Sequence, residues 1–350
     1  MKTPAITLAV LALAAPTLGG GPPPDYGFNF ITIGDPGNPA YPGSAPPLVG
    51  MSPTARAGRG SVAYEYRIAE TEVTTTQWIE FLNTFTTRNI PGLPIRPPTF
   101  WGGRFDPNYP GPGRRYIVND DLPGAERISA HGISWYDAAR FVNWLHNGKS
   151  SDPASLESGV YDSSTWILNK DFTRQDQLTR SPGAKYWIPS LDEWLKAAHY
   201  DPSKNGTGDP GWWRFSHTSD EPPVPGLPGA GQSAGPLPAF FGGMDVRYLP
   251  LGSYPDVRSP WGLLDTSGGA AEWTEEAFFP GQLSLRGVEE SWSGAGQGLY
   301  FIDWAGEGGA RFPNVGGNEG LRVASLVPGA STCMAGAIMC LRFCTRSRRR

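Results

Sequence analysis

Apolar residues recur at helical spacing in three separate segments of the chain, and each segment follows a residue that can cap a helix. These capping residues are Thr74, Ser134 and Ser190, and Gln77 and Glu193 can complete a capping box in the first and third segments. The apolar faces comprise Trp78, Phe81, Leu82 and Phe85, then Ala138, Phe141, Val142 and Leu145, and finally Trp194, Ala197 and Ala198. Three amphipathic helices are therefore predicted, with their aromatic residues in the core, since apolar residues at this spacing usually pack together.

The strand signals are shorter and more scattered. Residues 61–68 alternate between apolar and polar side chains, as a half-buried strand does, and the apolar residues 28–33 can form an edge strand. Long stretches such as 88–127 and 201–249 show neither period, and no repeat of fixed length is visible. This mixture predicts an irregular, loop-rich α+β fold. We expect one domain over residues 25–325, because no linker divides it.

The composition agrees with a loop-rich globular protein. The 350 residues include 46 Gly and 36 Pro, which exclude a long helical bundle because both residues interrupt helices. General disorder is excluded as well, since 39% of the residues are hydrophobic and 13 are Trp, enough to bury a substantial core.

Negative charge predominates away from the ends of the chain. The formal net charge is −4, and it becomes −10 when Lys2 and the five arginines that follow residue 325 are left out. A body of this charge would repel a phosphate backbone, so we expect no nucleic-acid partner.

All three cysteines lie near the C-terminus, at Cys333, Cys340 and Cys344. The rest of the chain can therefore form no internal disulfide, no thiolate metal site and no cysteine nucleophile. This placement constrains the chemistry of the predicted domain more than any other feature of its composition.

The first 20 residues have the pattern of a secretory signal peptide. Lys2 is followed by an apolar run from Ala5 to Ala15 and by small residues suited to cleavage. A buried N-terminal helix is the alternative, but Pro16 and the Gly- and Pro-rich residues 19–24 disfavour it. Residues 1–20 are accordingly predicted to direct export.

Residues 326–350 carry a second targeting pattern. A short apolar run and an arginine cluster follow Val327-Pro328-Gly329, an arrangement that resembles the PEP-CTERM sorting tail of bacterial envelope proteins, although that tail has Pro-Glu-Pro at this point. The run is short for a bilayer span, and Arg342 interrupts it. The alternative is a disordered basic tail that contacts anionic lipid transiently. Both alternatives predict a protein that is secreted or held at the cell envelope.

Six segments of the body resemble, in the same order, the formylglycine-generating enzyme or sulfatase-modifying factor family. They are YRIAETEVTTTQWIEFLN, HGISWYDAARFVNWL, YWIPSLDEWLKAAHYD, WGLLDTSGGAAEWTEE, SLRGVEESW and NEGLRVAS, and they extend from Tyr66 to Ser325. The resemblance implies a secreted α+β fold related to C-type lectins. Together with the two terminal patterns, it is similar to a planctomycete-type group of envelope proteins.

Active members of this family bind copper through two cysteines and use oxygen to convert a substrate cysteine into formylglycine. The element that precedes those cysteines corresponds to residues 286–292 here, and the alignment places Gly294 and Leu299 at the cysteine positions. Neither residue can bind Cu(I), which prefers soft thiolate ligands. The resemblance therefore implies a catalytically silent member in which copper is not expected. The alternative is a formylglycine-generating oxidase, or a diverged activity in the same cleft.

A calcium loop of the same family is retained in part. The resemblance assigns the carboxylates of Asp265 and Glu272 and the backbone carbonyls of Gly268 and Ala270 to one Ca²⁺ ion. Ca²⁺ takes many oxygen ligands, and a glycine-rich turn lets carbonyls point inward. The alternative is that the two carboxylates only cap turns.

Aromatic residues in the predicted loops are the remaining candidates for ligand contacts. Trp292 and Trp304 could stack on a peptide or polysaccharide, as could Trp101 and Trp212, whereas the alternative places such rings in the core of a strand-poor fold. A binding or structural protein of the cell envelope is the leading hypothesis. Its rivals are the oxidase and a lectin-like polysaccharide binder.

Overall fold

The computed structural model describes residues 23–43, 57–167, 176–234, 240–279, 282–289, 302, 314 and 316–328. The predicted signal peptide, the three cysteines, Gly294, Leu299, Trp292 and Trp304 lie outside the described residues, and the predicted tail is described only over 326–328. Within the described ranges, no helix is long and apolar enough to cross a membrane.

Three α-helices form where the capping patterns predict them. They are α1 (Thr75–Thr86), α2 (Trp135–His146) and α3 (Leu191–His199). Thr74 and Ser190 complete capping boxes at α1 and α3, and the Ser134 hydroxyl caps α2. Short 3₁₀ turns lie at Ala125–Arg127, Pro153–Leu156, Ser163–Thr165 and Val246–Tyr248.

The strands are short apart from one hairpin. In chain order they are β1 (Phe30–Ile33), β2 (Tyr66–Ala69), β3 (Gly103–Phe105), β4 (Tyr116–Val118), β5 (Tyr186–Trp187), β6 (Tyr200–Asp201), β7 (Gly211–Trp212), β8 (Phe240–Phe241), β9 (Met244–Asp245), β10 (Ala271–Phe279), β11 (Gln282–Glu289), β12 (Glu319–Gly320) and β13 (Ala324–Ser325). The predicted strand over 61–68 begins only at Tyr66. The Val62 N–H donates to the Asn38 side chain instead, and the Val62 carbonyl accepts from Gly37, so this part of the chain follows a turn.

Segments that are far apart in the sequence meet in one four-stranded antiparallel sheet of order β1-β2-β13-β5, in which β1 is the predicted edge strand. A second sheet has the order β11-β10-β12, and its β10–β12 pair is parallel. Three two-stranded pairs, β3–β4, β6–β7 and β8–β9, complete the described strands. The chain passes directly from β12 to β13, so the segment that contains Arg322 connects the two larger sheets.

The main core contains residues of α1, α2 and the four-stranded sheet. Trp78 of α1 stacks on Phe141 of α2 with ring centroids 5.2 Å apart, and Tyr66 and Trp187 contribute from β2 and β5. The predicted inner faces of all three helices are buried, which confirms that part of the predicted core. A second, smaller cluster packs α3 against Tyr41, Trp212 and Ile302.

Candidate functional site

The loop that the sequence assigned to calcium is a half-buried turn that leads into β10, and its Gly269 is exposed. Asp265, Gly268 and Gly269 have positive φ angles of 56°, 101° and 99°, a conformation that glycine adopts freely and that aspartate tolerates. Leu263 and Leu264 anchor the loop, because both side chains are buried. The course of the turn is therefore set by its backbone conformation and by its packing.

Asp265 is held inside this loop by a backbone hydrogen bond. Its Oδ2 accepts from the Gly252 N–H at 2.7 Å. Burial raises the pKa of Asp265 to about 6, an effect that this hydrogen bond and Arg322 oppose and that Glu272 reinforces. Asp265 therefore lies within electrostatic reach of both Arg322 and Glu272.

Glu272, the second predicted carboxylate, forms a buried ion pair with Arg322. Its Oε1 accepts from Arg322 Nη2 at 2.7 Å, and its Oε2 accepts from Arg322 Nε at 2.9 Å and from Trp194 Nε1 at 2.8 Å. The side chains of Arg322 and Glu272 are 0% and 2% exposed. Both oxygens of Glu272 are thus engaged by the protein, and this carboxylate does more than cap a turn.

Arg322 also holds three backbone carbonyls. Its Nη1 donates to the carbonyls of Ala69 and Glu70, and its Nη2 donates to that of Leu264. Burial lowers the pKa of Arg322, but the Glu272 carboxylate outweighs this effect and the net shift is upward. One charged side chain therefore ties β2, the loop and β10 together.

Glu72, like Arg322, is a member of this site that the sequence analysis did not predict. It lies between β2 and α1, it is 1% exposed, and neither of its carboxylate oxygens has a hydrogen-bond partner in the described part of the chain. Burial raises the pKa of Glu72 well above its ordinary value, and Glu272 raises it further. A β-carbon added to Gly269 would lie 3.7 Å from Glu72 Oε1, so this carboxylate faces the glycine turn.

The residues around this turn fit a calcium ion, but not with all of the ligands that the sequence predicts. Asp265, Gly268 and Ala270 share one turn, as expected from the sequence, but the Glu272 carboxylate is already paired. The described residues contain no group of three or more His, Cys, Asp or Glu side chains arranged to hold a metal, so a cation here would depend on carbonyl oxygens. The unpartnered carboxylate of Glu72 favours a cation, because an isolated buried charge is strongly unfavourable.

The sequence does contain signals for the two residues that were missed. Arg322 stands between Leu321 and Val323, and a charge within an apolar stretch indicates a buried pair. Glu72 gives a weaker signal, since it follows the polar residue Thr71. Only the fold brings these two residues to the same loop.

A second buried charge cluster surrounds Arg180. Its guanidinium lies 2.9 Å from Glu193 Oε1 and 3.0 Å from Glu275 Oε2. It also donates to the Tyr64 hydroxyl at 2.7 Å, and the Tyr161 hydroxyl donates to Glu275 at 2.9 Å. Burial raises the pKa of Glu275 to about 7, with Arg180 opposing the shift and Glu193 reinforcing it. Both acids have donors, so we assign this cluster a structural role.

A cavity of about 600 Å³ lies at the second hydrophobic cluster. Tyr41, Trp212 and Ile302 form its apolar part, and Lys204 and Asp220 form a polar part in which their charges pair at 2.7 Å. The indole Nε1 of Trp212 is buried without a hydrogen-bond partner in the described part of the chain. The cavity is therefore suited to a ligand that has both apolar and polar groups.

One residue of the cavity wall, Ile302, lies near the aligned cysteine positions in the sequence. Ile302 follows Leu299 closely in the sequence, and its N–H donates to the Arg214 carbonyl at 3.0 Å. Of the predicted loop aromatics, Trp101 and Trp212 are each 9% exposed: Trp101 packs in the main core, whereas Trp212 packs in the second cluster and also lines the cavity.

Comparison with known proteins gives one family and two similar structures. A family profile described as "Sulfatase-modifying factor enzyme 1-like domain" matches residues 50–324. The crystal structure of CarF is 16% identical with a TM-score of 0.48, over 86% of this chain and 98% of that one. The structure of PvdO from Pseudomonas aeruginosa is 16% identical with a TM-score of 0.45, over 85% of this chain and 94% of that one. No curated protein matches the chain.

Proposed function

The chain belongs to the FGE-sulfatase family of sulfatase-modifying factor enzyme 1-like domains, and we propose that it is a catalytically silent member that is exported and acts by binding at the cell envelope. Its short helices, short strands and long loops form the α+β fold of that family. Three points go beyond this family assignment: the loss of oxidase chemistry, the export of the protein and its ligand.

The placement of the cysteines carries the proposal. Cys333, Cys340 and Cys344 all follow the last residue that the family profile matches. A formylglycine-generating oxidase needs two thiolates inside the domain, because Cu(I) binds soft sulfur ligands. Gly294 and Leu299 stand at the aligned positions, and neither side chain offers a ligand atom.

The two ends of the chain support export. The apolar run after Lys2 and the small residues near position 20 are typical of a signal peptide. The apolar and basic residues of 326–350 are suited to sorting at the envelope or to transient contact with anionic lipid. Sorting at the envelope requires the protein to leave the cytoplasm.

A peptide or a polysaccharide is the ligand that we propose. The cavity beside Tyr41 and Trp212 supports this part of the proposal, since it combines aromatic side chains with the Lys204–Asp220 ion pair. Trp292 and Trp304 remain further candidates for ligand contacts. Binding to envelope polysaccharide and to a peptide library should be compared for the wild type, Asp220→Ala, Trp292→Ala and Trp304→Ala. If only Asp220→Ala loses binding, the ligand binds in the cavity. If both tryptophan variants bind as the wild type does, the proposed tryptophan site is wrong.

Calcium is the cofactor that we propose, with the role of stiffening the turn that leads into β10. Asp265, Gly268, Ala270 and Glu272 are the residues that the family pattern assigns to it. The ion would supply positive charge to a loop whose acids outnumber its bases.

The absence of oxidase activity can be tested directly. The purified chain is incubated with copper, oxygen and a cysteine-containing sulfatase peptide, and aldehyde formation is measured against a sample without protein. We expect no difference between the two. Aldehyde formation by the wild type would overturn the proposal.

A cysteine-free control completes this experiment. The triple variant with Cys333, Cys340 and Cys344 changed to Ser removes every thiol of the chain. Aldehyde formation that persists in this variant would identify a mechanism without thiolate ligands. Aldehyde formation that disappears would assign it to the tail, and either result contradicts a silent protein.

A further inference from the structure

Glu72 differs from the other buried glutamates of the two charge clusters. Glu193, Glu272 and Glu275 each accept hydrogen bonds from an arginine, whereas neither oxygen of Glu72 has a partner among the described residues. At 1% exposure, the side chain is closed off from bulk solvent. A carboxylate taken out of water without compensation is among the least favourable arrangements in a folded protein.

The Glu72 carboxylate faces the turn that leads into β10. Its Oε1 lies 3.7 Å from the position that a β-carbon on Gly269 would occupy. Gly268 and Gly269 both have positive φ angles, and a glycine turn of this kind allows other groups to approach its backbone closely. The buried carboxylate therefore lies next to the backbone of a turn whose Gly269 is exposed to solvent.

Glu272 is less available to a cation than Glu72. Its oxygens accept from Arg322 at 2.7 and 2.9 Å and from Trp194 at 2.8 Å. A cation that recruited Glu272 would have to share it with the Arg322 guanidinium, which is itself buried. No described residue donates a hydrogen bond to the carboxylate of Glu72 in this way.

The positive charges near the turn compensate Glu72 only in part, because Arg322 opposes the rise in the pKa of Glu72 without overcoming it. Arg322 pairs with Glu272, and Arg127 acts on Asp265. Neither arginine forms an ion pair with Glu72 within the described ranges. A cation from solution would supply the missing charge.

We propose that Glu72 and Asp265 are the charged ligands of a calcium ion at the turn over residues 268–270, and that Glu272 is the counter-ion of Arg322. The inference rests on the calcium proposal above and changes its ligand set. Ca²⁺ suits such a site, because it combines carboxylate and carbonyl oxygens in flexible geometries. Two carboxylates with backbone carbonyls also agree with the lack of a larger metal-binding cluster among the described side chains.

A proton on Glu72 is the competing explanation. It would neutralise the carboxylate without any ion, and the fold would then be indifferent to calcium. The two explanations differ in how the protein and its Glu72 variants respond to metal.

Terbium luminescence measures the metal directly, because Tb³⁺ replaces Ca²⁺ at oxygen sites and is excited by energy transfer from nearby tryptophan, here Trp194 beside Glu272. In the full chain, Ca²⁺ is expected to displace bound Tb³⁺. Glu72→Gln is expected to weaken both ions by at least about tenfold, since affinity follows the number of charged ligands. Glu72→Asp keeps the charge but moves the carboxylate away from the turn, because the side chain is shorter. It should also weaken the binding of both ions.

Glu70→Gln is the matched control. Glu70 lies close to Glu72 in the sequence, but its carboxylate pairs with Arg258 at 2.8 Å and is partly exposed. We expect its replacement to change the affinity for Tb³⁺ by less than about twofold, because its carboxylate already has protein partners in Arg258 and Asn29 and affinity follows the charged ligands.

Thermal unfolding supplies a second readout. In the presence of a chelator, Glu72→Gln is expected to unfold at a higher temperature than the wild type, since it removes an unpaired buried charge. With calcium the order should reverse, because only the wild type gains the ion.

The outcomes separate the two proposals. A wild type that responds neither to Tb³⁺ nor to Ca²⁺ overturns the calcium proposal and the role of Glu72 together. Equal affinity in the wild type and Glu72→Gln overturns the role of Glu72 alone and returns Glu272 to the ligand set. A Glu72→Gln variant that is stabilised equally with and without calcium identifies the proton and also overturns this inference.

Discussion

In the described part of the chain, Arg180 and Arg322 each organise a buried charge cluster, and the two clusters differ in how the surrounding acids are satisfied. The Arg180 side chain is 20% exposed and pairs with Glu193 and Glu275. The Arg322 side chain is fully buried and pairs with Glu272. Each arginine joins elements that are distant in the sequence.

Around Arg180, the acids have several donors each. Glu193 accepts from Trp187 Nε1 at 3.0 Å and from the Ser190 N–H at 2.7 Å, in addition to the arginine. Glu275 accepts from a tyrosine hydroxyl at 2.9 Å. Both acids of this cluster therefore have hydrogen-bond donors from the chain itself.

Around Arg322, the hydrogen-bond donors of the described residues do not reach every buried acid. The guanidinium serves three carbonyls as well as Glu272, while Glu72 has no donor among the described residues. A buried ion pair by itself therefore indicates a structural role rather than a binding site. An acid that the network leaves out indicates that a proton or a cation must bind there.

Replacing Arg322 by Met should have the largest effect on stability. The substitution leaves Glu272 buried without its partner and removes the donor of three carbonyls. Breaking a buried pair from one side costs about 3–5 kcal/mol, so we expect the free energy of unfolding in urea to fall by about that amount, or folding to fail. A double variant that also carries Glu272→Met should recover part of the loss, because no uncompensated charge remains. A loss below about 1 kcal/mol for Arg322→Met would contradict the central role of this pair.

Replacing Arg180 by Met should have a smaller effect, of about 2–3 kcal/mol. Its side chain is partly exposed, so water can approach the vacated space beside Glu193, and Glu275 can take up a proton. Urea unfolding of the two single variants under the same conditions gives the comparison. Equal losses for Arg180→Met and Arg322→Met would show that exposure does not distinguish the two clusters.

The Arg180 cluster should also give the protein a pH-dependent stability. The pKa of Glu275 is about 7 in the folded state against an ordinary value of 4.5. The folded protein therefore holds this proton more tightly than the unfolded chain does. The stability that Glu275 contributes is fully present at low pH and is lost as the pH rises from about 4.5 to about 7, by up to about 1.4 kcal/mol per pH unit.

Glu275→Gln tests this pH dependence. The variant has no titrating group at this position, so its free energy of unfolding should change less between pH 4.5 and pH 7 than that of the wild type. Urea unfolding at several pH values measures the two slopes. Identical slopes would show that the proton on Glu275 is not linked to folding.

The sequence predicted the helices and their buried faces because the signals for them are local. The Thr74–Gln77 and Ser190–Glu193 pairs stabilise helix starts within a single turn, and the structure confirms both. The strand at 61–68 was predicted too long, because a contact with Asn38 holds Val62. Such a contact cannot be inferred from alternation alone.

The candidate site could be predicted only as far as the family pattern reaches. Asp265 lies in the predicted loop, whereas Glu272 lies in β10, and the partners of Glu272 come from α3 and from the segment before β13. Glu72 comes from a third segment. Which acid has hydrogen-bond partners and which has none depends on how these three segments pack together. No spacing within the sequence encodes that packing.

A third arginine pair lies at the surface, and breaking it should lower the free energy of unfolding less than breaking either of the two buried pairs. Arg258 lies 2.8 Å from Glu70, with the two side chains 44% and 19% exposed, so water and salt screen the pair. We expect Arg258→Met to lower the free energy of unfolding by no more than about 1 kcal/mol, and this loss should shrink further in high salt. Urea unfolding at low and high sodium chloride measures it. A cost as large as that of Arg180→Met would mean that burial does not determine what these arginines contribute, and the contrast between the clusters would then have to be explained by their hydrogen bonds alone.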